Sequence, residues 1–478
     1  MDLGELIEAA RQEWDNGLDA HSIGAIGPGT QITGIAYDSR RVAPGDLFCC
    51  LPGIAADGHD HAREAVAAGA SALLVERHLD LGIDQVVVPD ARRSMALLAA
   101  VLHGFPSRRL AVVGVTGTNG KTSVVHMLAD VLRRSGRHVA ESGTLTGDRT
   151  TPEAPDLQAR LASWADDGVD IVCMEVSSHA LAQHRVDGIG FAAVAYTNLT
   201  RDHLDYHGSM DAYAAAKQRL LAREFSGHAV VVVDDDSGRE RAAAGRHSGL
   251  EVVEVATSDA SVLVGRNGSR FTWRHGEVDL ALPGRFAVTN ALVVAELAVL
   301  VGTPVADVRE ALGLLQPVPG RFESLPEAAG IRVVVDYAHT PDALTAALAA
   351  AREVSTGRVI CVFGCGGGRD EGKRPEMGRA AVSGADVVVV TSDNPRYDPP
   401  GGIIEDILSG MDLSGTDQSE VIVEPDRREA MTMAIGLAHS GDLVLVAGRG
   451  HEATQHVGAD LLPFDDRLVA AEILELRS

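Results

Sequence analysis

The segment from Leu110 to Gly136 joins an apolar run, LAVVGVTG, to a glycine-rich turn, TNGKTS, and then to VVHMLADVLRRSG, a pattern with helical period. A strand, a flexible turn and a helix in that order form a phosphate-binding loop, because glycines let backbone N–H groups wrap an anion at a positive helix end. Gly117, Thr118, Asn119 and Gly120 supply the wrap, Lys121 a point charge, Thr122 a hydroxyl within reach of Mg²⁺, and Ser123 the first turn of the helix. A glycine-rich turn alone is common; strand, Gly-Lys-Thr and helix together point to a nucleotide. Five residues separate Gly114 from Gly120, where the common phosphate loop has four. That spacing argues against ordinary GTPases and motor ATPases.

At 478 residues the chain exceeds one ordinary core of roughly 100–200 residues. Three blocks stand out. Residues 1–107 hold short apolar runs at 71–75 and 83–89 among Gly/Asp/Pro-rich loops. Residues 108–318 carry the phosphate loop and strand candidates at 169–177, 191–198 and 228–236, with a helical pattern at 211–225. Residues 319–478 begin at a Pro/Gly-rich hinge, PVPGRFE (317–323), and repeat the alternation in IRVVVDYA, RVICVFGCG, DVVVVTSDN and DLVLVAGRG. Strands alternating with helices predict α/β layers on mostly parallel sheets. Ligands in such sheets sit beyond the carboxyl ends of strands, where GCGGGRD, SDNPR and GRGHE fall.

A formal charge of −25 disfavours nucleic acid and anionic membrane as partners. It leaves room for a phosphate-bearing substrate, since a local cradle of N–H groups, Lys and Mg²⁺ reverses the sign where it matters. Five cysteines, odd in number and set in apolar or Gly-rich stretches, fit a reducing cytoplasm rather than a disulfide framework. Cys361 and Cys365 are four apart without a second Cys/His pair, which speaks against zinc. The N-terminus lacks the pattern of a signal peptide, and no apolar run reaches the roughly 18 residues of a membrane span.

Several longer strings are similar to those of the Mur ligases: VTGTNGKTS, Met174–His179 (MEVSSH), Thr197–His207 (TNLTRDHLDYH) and Asp336–Pro341 (DYAHTP). The resemblance runs from about Tyr37 to Arg467. It implies a three-domain α/β protein: an N-terminal UDP-binding domain (1–107), a central P-loop-type parallel-sheet ATPase domain (108–318) and a Rossmann-like C-terminal domain (319–478) that takes an amino acid. It further implies a monomeric cytoplasmic ligase of peptidoglycan precursor synthesis that forms an amide through an acyl phosphate.

By the same resemblance, Lys121, Glu175, His203 and Lys217 are the catalytic set. Thr122, Glu175 and His203 would hold two Mg²⁺ ions, with Lys217 carbamylated by CO₂ to serve as an oxygen donor. From the residues alone, His203 reads as a structural hydrogen-bonder and Lys217 in AAAKQRL as a solvated helix lysine. Asn290, Arg321, Asp336 and His339 join Gly117–Ser123 around ATP. Ser39, Thr150, Thr151, Ser177, Gln183 and Arg185 would contact a UDP-N-acetylmuramoyl-dipeptide. Asp393, Asn394, Pro395 and Arg396 match the DNPR string of family members that add meso-diaminopimelate, with Arg369, Gly448 and Glu452 completing that pocket. An extra carboxylate on the amino acid calls for a forked cation such as Arg396, and Glu452 would pair with the distal amino group. Arg149, Ala287 and Arg449 stand where the family commonly has Asn, Asn and Lys.

Overall fold

The computed structural model describes residues 1–14, 22–23, 29–53, 56–147, 149–412 and 419–477. Among them the chain forms three successive α/β layers, each built on its own sheet. The first sheet orders its five strands Ser22–Ile23, Asp84–Val87, Ala72–Val75, Asp46–Cys49 and Gly34–Ala36. Only its first pairing is antiparallel.

The second sheet is parallel throughout, in the order Glu251–Val255, His228–Val232, Ala193–Tyr196, Ala111–Thr116, Ile171–Glu175, Val139–Ser142. Its strands are apolar on both faces because helices cover both: Val113 and Val115 enter one core, Val112 and Val172 the other. Ala111–Thr116 lies centrally between Ala193–Tyr196 and Ile171–Glu175. The loops after these strands therefore converge at one edge, where a doubly wound sheet binds ligand.

The third sheet runs Glu323–Ser324, Arg332–Asp336, Leu443–Ala447, Val359–Phe363, Val387–Val390, Glu420–Val423. Its first pairing is antiparallel and the rest parallel. Val359, Cys361 and Phe363 point into one core and Ile360 and Val362 into the other, the period-two signature of a strand buried on both sides.

Three departures from the sequence reading have local causes. The helical pattern at 211–225 stops early: Met210–Gln218 is α-helical, Arg219–Leu221 tightens into a 3-10 turn, and Ala222 is extended. Leu220 and Leu221 are fully buried there, so packing rather than propensity ends the helix. An antiparallel meander, Leu263–Gly265, Gly268–Trp273 and Gly276–Leu280, interrupts the α/β alternation. A hairpin, Thr454–Val457 with Asp460–Pro463, follows the last parallel strand.

Candidate active site

The turn after Ala111–Thr116 is tied down from several sides. Gly120 takes φ +87, a left-handed conformation open to glycine without penalty, and precedes the helix Lys121–Arg134. At Gly117 a Cβ would lie 1.8 Å from the Thr197 hydroxyl, so only glycine fits between the loop and the neighbouring strand end. Thr197 donates to Asn119 O at 2.6 Å, and Asn198 Oδ1 accepts from Asn119 N at 2.9 Å. Lys121 Nζ folds back on Gly117 O (2.8 Å) and Thr118 O (2.9 Å).

Lys217 Nζ also donates to Gly117 O, at 2.7 Å, and lies 4.4 Å from the Tyr213 ring centre. The sequence pattern suggested a solvated lysine; the side chain is instead buried. Burial, then the charge of Lys121, pulls its amine well below the ordinary lysine range. Lys121 is itself lowered by burial, with Glu175 acting in the other direction.

Glu175 ends the strand beside the loop. Its Oε2 accepts from Thr122 Oγ1 at 3.0 Å and its Oε1 from Thr144 N at 2.7 Å. His203 sits at φ +55 before the short helix Leu204–His207. Burial drives its imidazole down to about 3 despite adjacent Asp202. A neutral imidazole, a carboxylate and a hydroxyl along one cavity suit a small oxygen-seeking cation that keeps water and phosphate as its other ligands. Among the described residues no three His, Cys, Asp or Glu converge as a complete metal cage.

These groups line a cavity of ≈ 530 Å³ between the second and third layers. Thr118, Asn119, Gly120, Lys121, Thr122, Ser123, Glu175, His203 and Lys217 form its floor, with Thr150 and Ser177 at one side. Asn290 lines it beside Gly120, and Arg321, Asp336, His339 and Arg369 line it from the third layer. Arg321 Nη2 donates to Thr122 Oγ1 at 3.2 Å and its guanidinium stacks 4.2 Å from the Tyr337 ring centre. Asp336 accepts from Phe322 N (2.6 Å) and Ala338 N (2.7 Å); burial still raises its pKa.

A second cavity of ≈ 140 Å³ is lined by Arg369, Asp393, Asn394, Arg396, Gly448 and Glu452. Asp202, His203, Tyr337, His339 and Arg369 line both cavities, so the two share a wall. Asn394 Nδ2 donates to Glu452 Oε2 at 2.7 Å, while its Oδ1 accepts from His456 N at 2.9 Å. Arg396 adopts φ +52, and its Nη1 donates to Gly367 O at 2.7 Å. Burial and then Asp393 raise the Glu452 carboxyl above its ordinary value.

Three family models match in order: "Mur ligase family, catalytic domain" over residues 31–105, "Mur ligase middle domain" over 115–298, and "Mur ligase, glutamate ligase domain" over 320–450. The chain is 43% identical over 465 residues to the UDP-N-acetylmuramoyl-L-alanyl-D-glutamate--2,6-diaminopimelate ligase of Syntrophomonas wolfei, covering 93% of this chain and 95% of that protein. The enzyme of the same name from Xanthomonas campestris pv. campestris is 44% identical over 477 residues, covering 94% and 95%. This chain belongs to the Mur ligase family. A solved structure titled as the same diaminopimelate ligase superposes with a TM-score of 0.68 at 31% identity, covering 95% of this chain and 97% of that one.

In this Mur ligase most of the expected site residues meet at the two cavities, and the exceptions are informative. Gly117 and Pro395 serve as backbone behind the walls. Thr151, Gln183 and Arg185 form a support next to Glu175: Thr151 Oγ1 donates to Glu175 O at 2.9 Å, and Arg185 donates to Thr151 O (3.0 Å) and Gln183 Oε1 (2.6 Å). Ser39 is half-buried in the first layer, where it donates to Glu64 at 3.3 Å, outside both cavities.

Other residues were missed. Asp202, inside the string Thr197–His207, gathers His203 (3.4 Å), His339 (3.6 Å) and Lys373 (3.8 Å). Burial opposes its ionisation, but these neighbours hold the carboxyl far below the usual range. Its predecessor Arg201 reaches Asp370 at 3.2 Å and Glu376 at 3.0 Å in the third layer. Adjacent charges in sequence were the only signal, and they do not reveal partners so distant along the chain. Among the described residues no helix is long and apolar enough to cross a membrane.

Proposed function

We propose that this chain is an ATP-dependent ligase adding meso-2,6-diaminopimelate to UDP-N-acetylmuramoyl-L-alanyl-D-glutamate, a step of peptidoglycan precursor synthesis. The observation carrying the reading is the wall shared by the phosphate-loop cavity and the Arg396–Glu452 cavity. An activated carboxylate formed on one side faces an amine held on the other. In this scheme residues 1–107 hold the UDP-sugar, with Ser39 among its contacts, 108–318 the ATP and 319–478 the amino acid. The Thr150, Thr151, Ser177, Gln183 and Arg185 network holds the dipeptide. The buried cysteines suit a reducing cytoplasm.

The D-glutamyl carboxylate attacks the γ-phosphorus of ATP, the bond to ADP breaks, and an acyl phosphate results. Lys121 and the loop N–H groups hold the phosphates, and Arg321 reaches in from the hinge. Thr122, Glu175 and neutral His203 would hold two Mg²⁺ ions, whose charge would offset that developing on the transferred phosphoryl group. Lys217, deprived of solvent and depressed in pKa, is a nucleophilic amine. Its nitrogen adds to CO₂ and loses a proton, and the carbamate supplies oxygen donors beside the loop. The diaminopimelate amine, having lost its proton, attacks the acyl carbon. Phosphate leaves with the C–O bonding pair. Arg396 takes the distal carboxylate and Glu452 the distal ammonium, so positioning supplies most of the catalysis.

The test is phosphate release from ATP with the UDP-muramoyl-dipeptide and meso-diaminopimelate, L-lysine or no amino acid. Release dependent on diaminopimelate supports the reading. Stimulation by lysine alone overturns the pocket assignment, and no stimulation by either points to a silent nucleotide-binding regulator. Carbon-13 NMR after incubation with labelled bicarbonate tests the carbamate; a wild-type signal that persists in Lys217→Ala would remove Lys217 from that role.

A further inference from the structure

Behind the wall of the amino-acid pocket formed by Gly448 and Glu452 lies a buried cation with no part in the scheme above. Arg449 lies between Gly448 and Gly450, and its side chain is 0% exposed. Its Nη2 donates to Thr454 O at 2.7 Å and Phe464 O at 2.9 Å, the two ends of the hairpin Thr454–Pro463. The guanidinium lies 5.1 Å from the Phe464 ring centre. Its Nε and Nη1 are buried without a hydrogen-bond partner among the described residues, as is Asp393 Oδ2. Nε stands 3.9 Å from Glu452 Oε2.

The other buried arginine here, Arg427, is committed to Asp466 at 2.8 and 2.7 Å and to two backbone carbonyls. Arg449, with Nε and Nη1 unpaired among the described residues, keeps donor capacity toward the pocket carboxylates. It also holds the base of the hairpin that shapes Arg396: Arg396 N donates to His456 O at 2.9 Å, and Gly458 N to Arg396 O at 2.6 Å. One side chain thus touches the supports of both groups proposed to grip the amino acid.

We infer that Arg449 is a positioning residue for the amino-acid pocket, setting Glu452 directly and Arg396 through the hairpin so that an ammonium and a carboxylate on one carbon are gripped together. The inference rests on the diaminopimelate reading above. Glu452 faces Asp393, which raises its carboxyl, while Asn394, Arg449 and His339 pull it down. Arg321, Arg427 and Tyr337 lie in the same field. Loss of Arg449 makes Glu452 easier to protonate, so binding of the ammonium fails at higher pH.

The experiment measures phosphate release by full-length wild type, Arg449→Met and Arg449→Lys against diaminopimelate concentration and pH. Arg449→Met is expected to raise KM for diaminopimelate about tenfold, the size of one charge-assisted contact. It should leave kcat and KM for ATP near wild type and move the acid limb of kcat/KM upward. Arg449→Lys, keeping the charge, should retain the wild-type acid limb. Wild-type KM and acid limb in Arg449→Met, or a loss confined to kcat, would overturn the inference. Should Arg449→Met not fold, an acid limb displaced in Arg449→Lys overturns it, and a wild-type limb with raised KM supports it. A wild type inactive with diaminopimelate refutes the underlying reading instead.

Discussion

Arg321 Nη2 donates a hydrogen bond to the Thr122 hydroxyl at 3.2 Å, joining the hinge to the phosphate loop across 199 positions of sequence. The adjoining Gly320 takes φ +64, and a Cβ there would stand 2.1 Å from His451 N. Gly320→Ala therefore strains the hinge by about 1–2 kcal/mol from the left-handed backbone alone, before the clash. Turnover should fall at least tenfold while ATP still binds, as read by phosphate release beside calorimetric titration with ATP. Equal loss of both would refute a hinge role.

Arg396→Lys replaces a two-pronged donor by a point charge. KM for diaminopimelate should rise about tenfold or more, with a smaller change in KM for ATP. Preference for diaminopimelate over L-lysine should narrow in a competition assay. An unchanged preference would show that Arg396 does not read the extra carboxylate.

Arg201 bridges the second and third layers through Asp370 and Glu376 from a partly exposed position, with a side chain 34% accessible. Exposed pairs are worth about 0.2–1 kcal/mol, so Arg201→Ala should lower kcat/KM only about two- to fivefold. The diagnostic is salt: wild-type rates should decline as ionic strength rises, and variant rates should respond less.

Burial holds His179 at about 4, His203 at about 3 and His451 at about 4. In the unfolded chain each binds a proton near the ordinary value of about 6.5. The unfolded state thus carries more protons between that value and the folded ones, and stability rises with pH across the window. Tm should drop as pH falls from about 6.5 toward 4. His179→Gln should lessen that slope; a variant as acid-sensitive as wild type would refute the assignment.

The phosphate loop was legible because its chemistry is local: strand, glycines, Lys121 and helix are contiguous. The Val-rich strands of the third layer were equally plain, since burial on both faces leaves no polar alternation to confuse them. Lys217 was not legible. A lysine among alanines on a short helix looks solvated, and its burial depends on Gly117 O, 100 positions away. The meander at 263–280 was missed for a related reason: its short, mixed runs become strands only when Phe271, Trp273 and Val278 find the helix-lined core. Asp202 and Arg201 show the same limit at the site itself, since His339 and Lys373 for the one, and Asp370 and Glu376 for the other, lie on another layer.

The wall common to the two cavities has a pharmacological corollary. Asp202, His203, Tyr337, His339 and Arg369 border both spaces, so a single molecule can occupy them together without a long tether. A nucleotide mimic joined to a diaminopimelate mimic would bind its second half as an intramolecular event, gaining avidity from effective concentration. Such a bisubstrate compound would also tax resistance, because a substitution that excludes it at the shared wall alters both cavities at once.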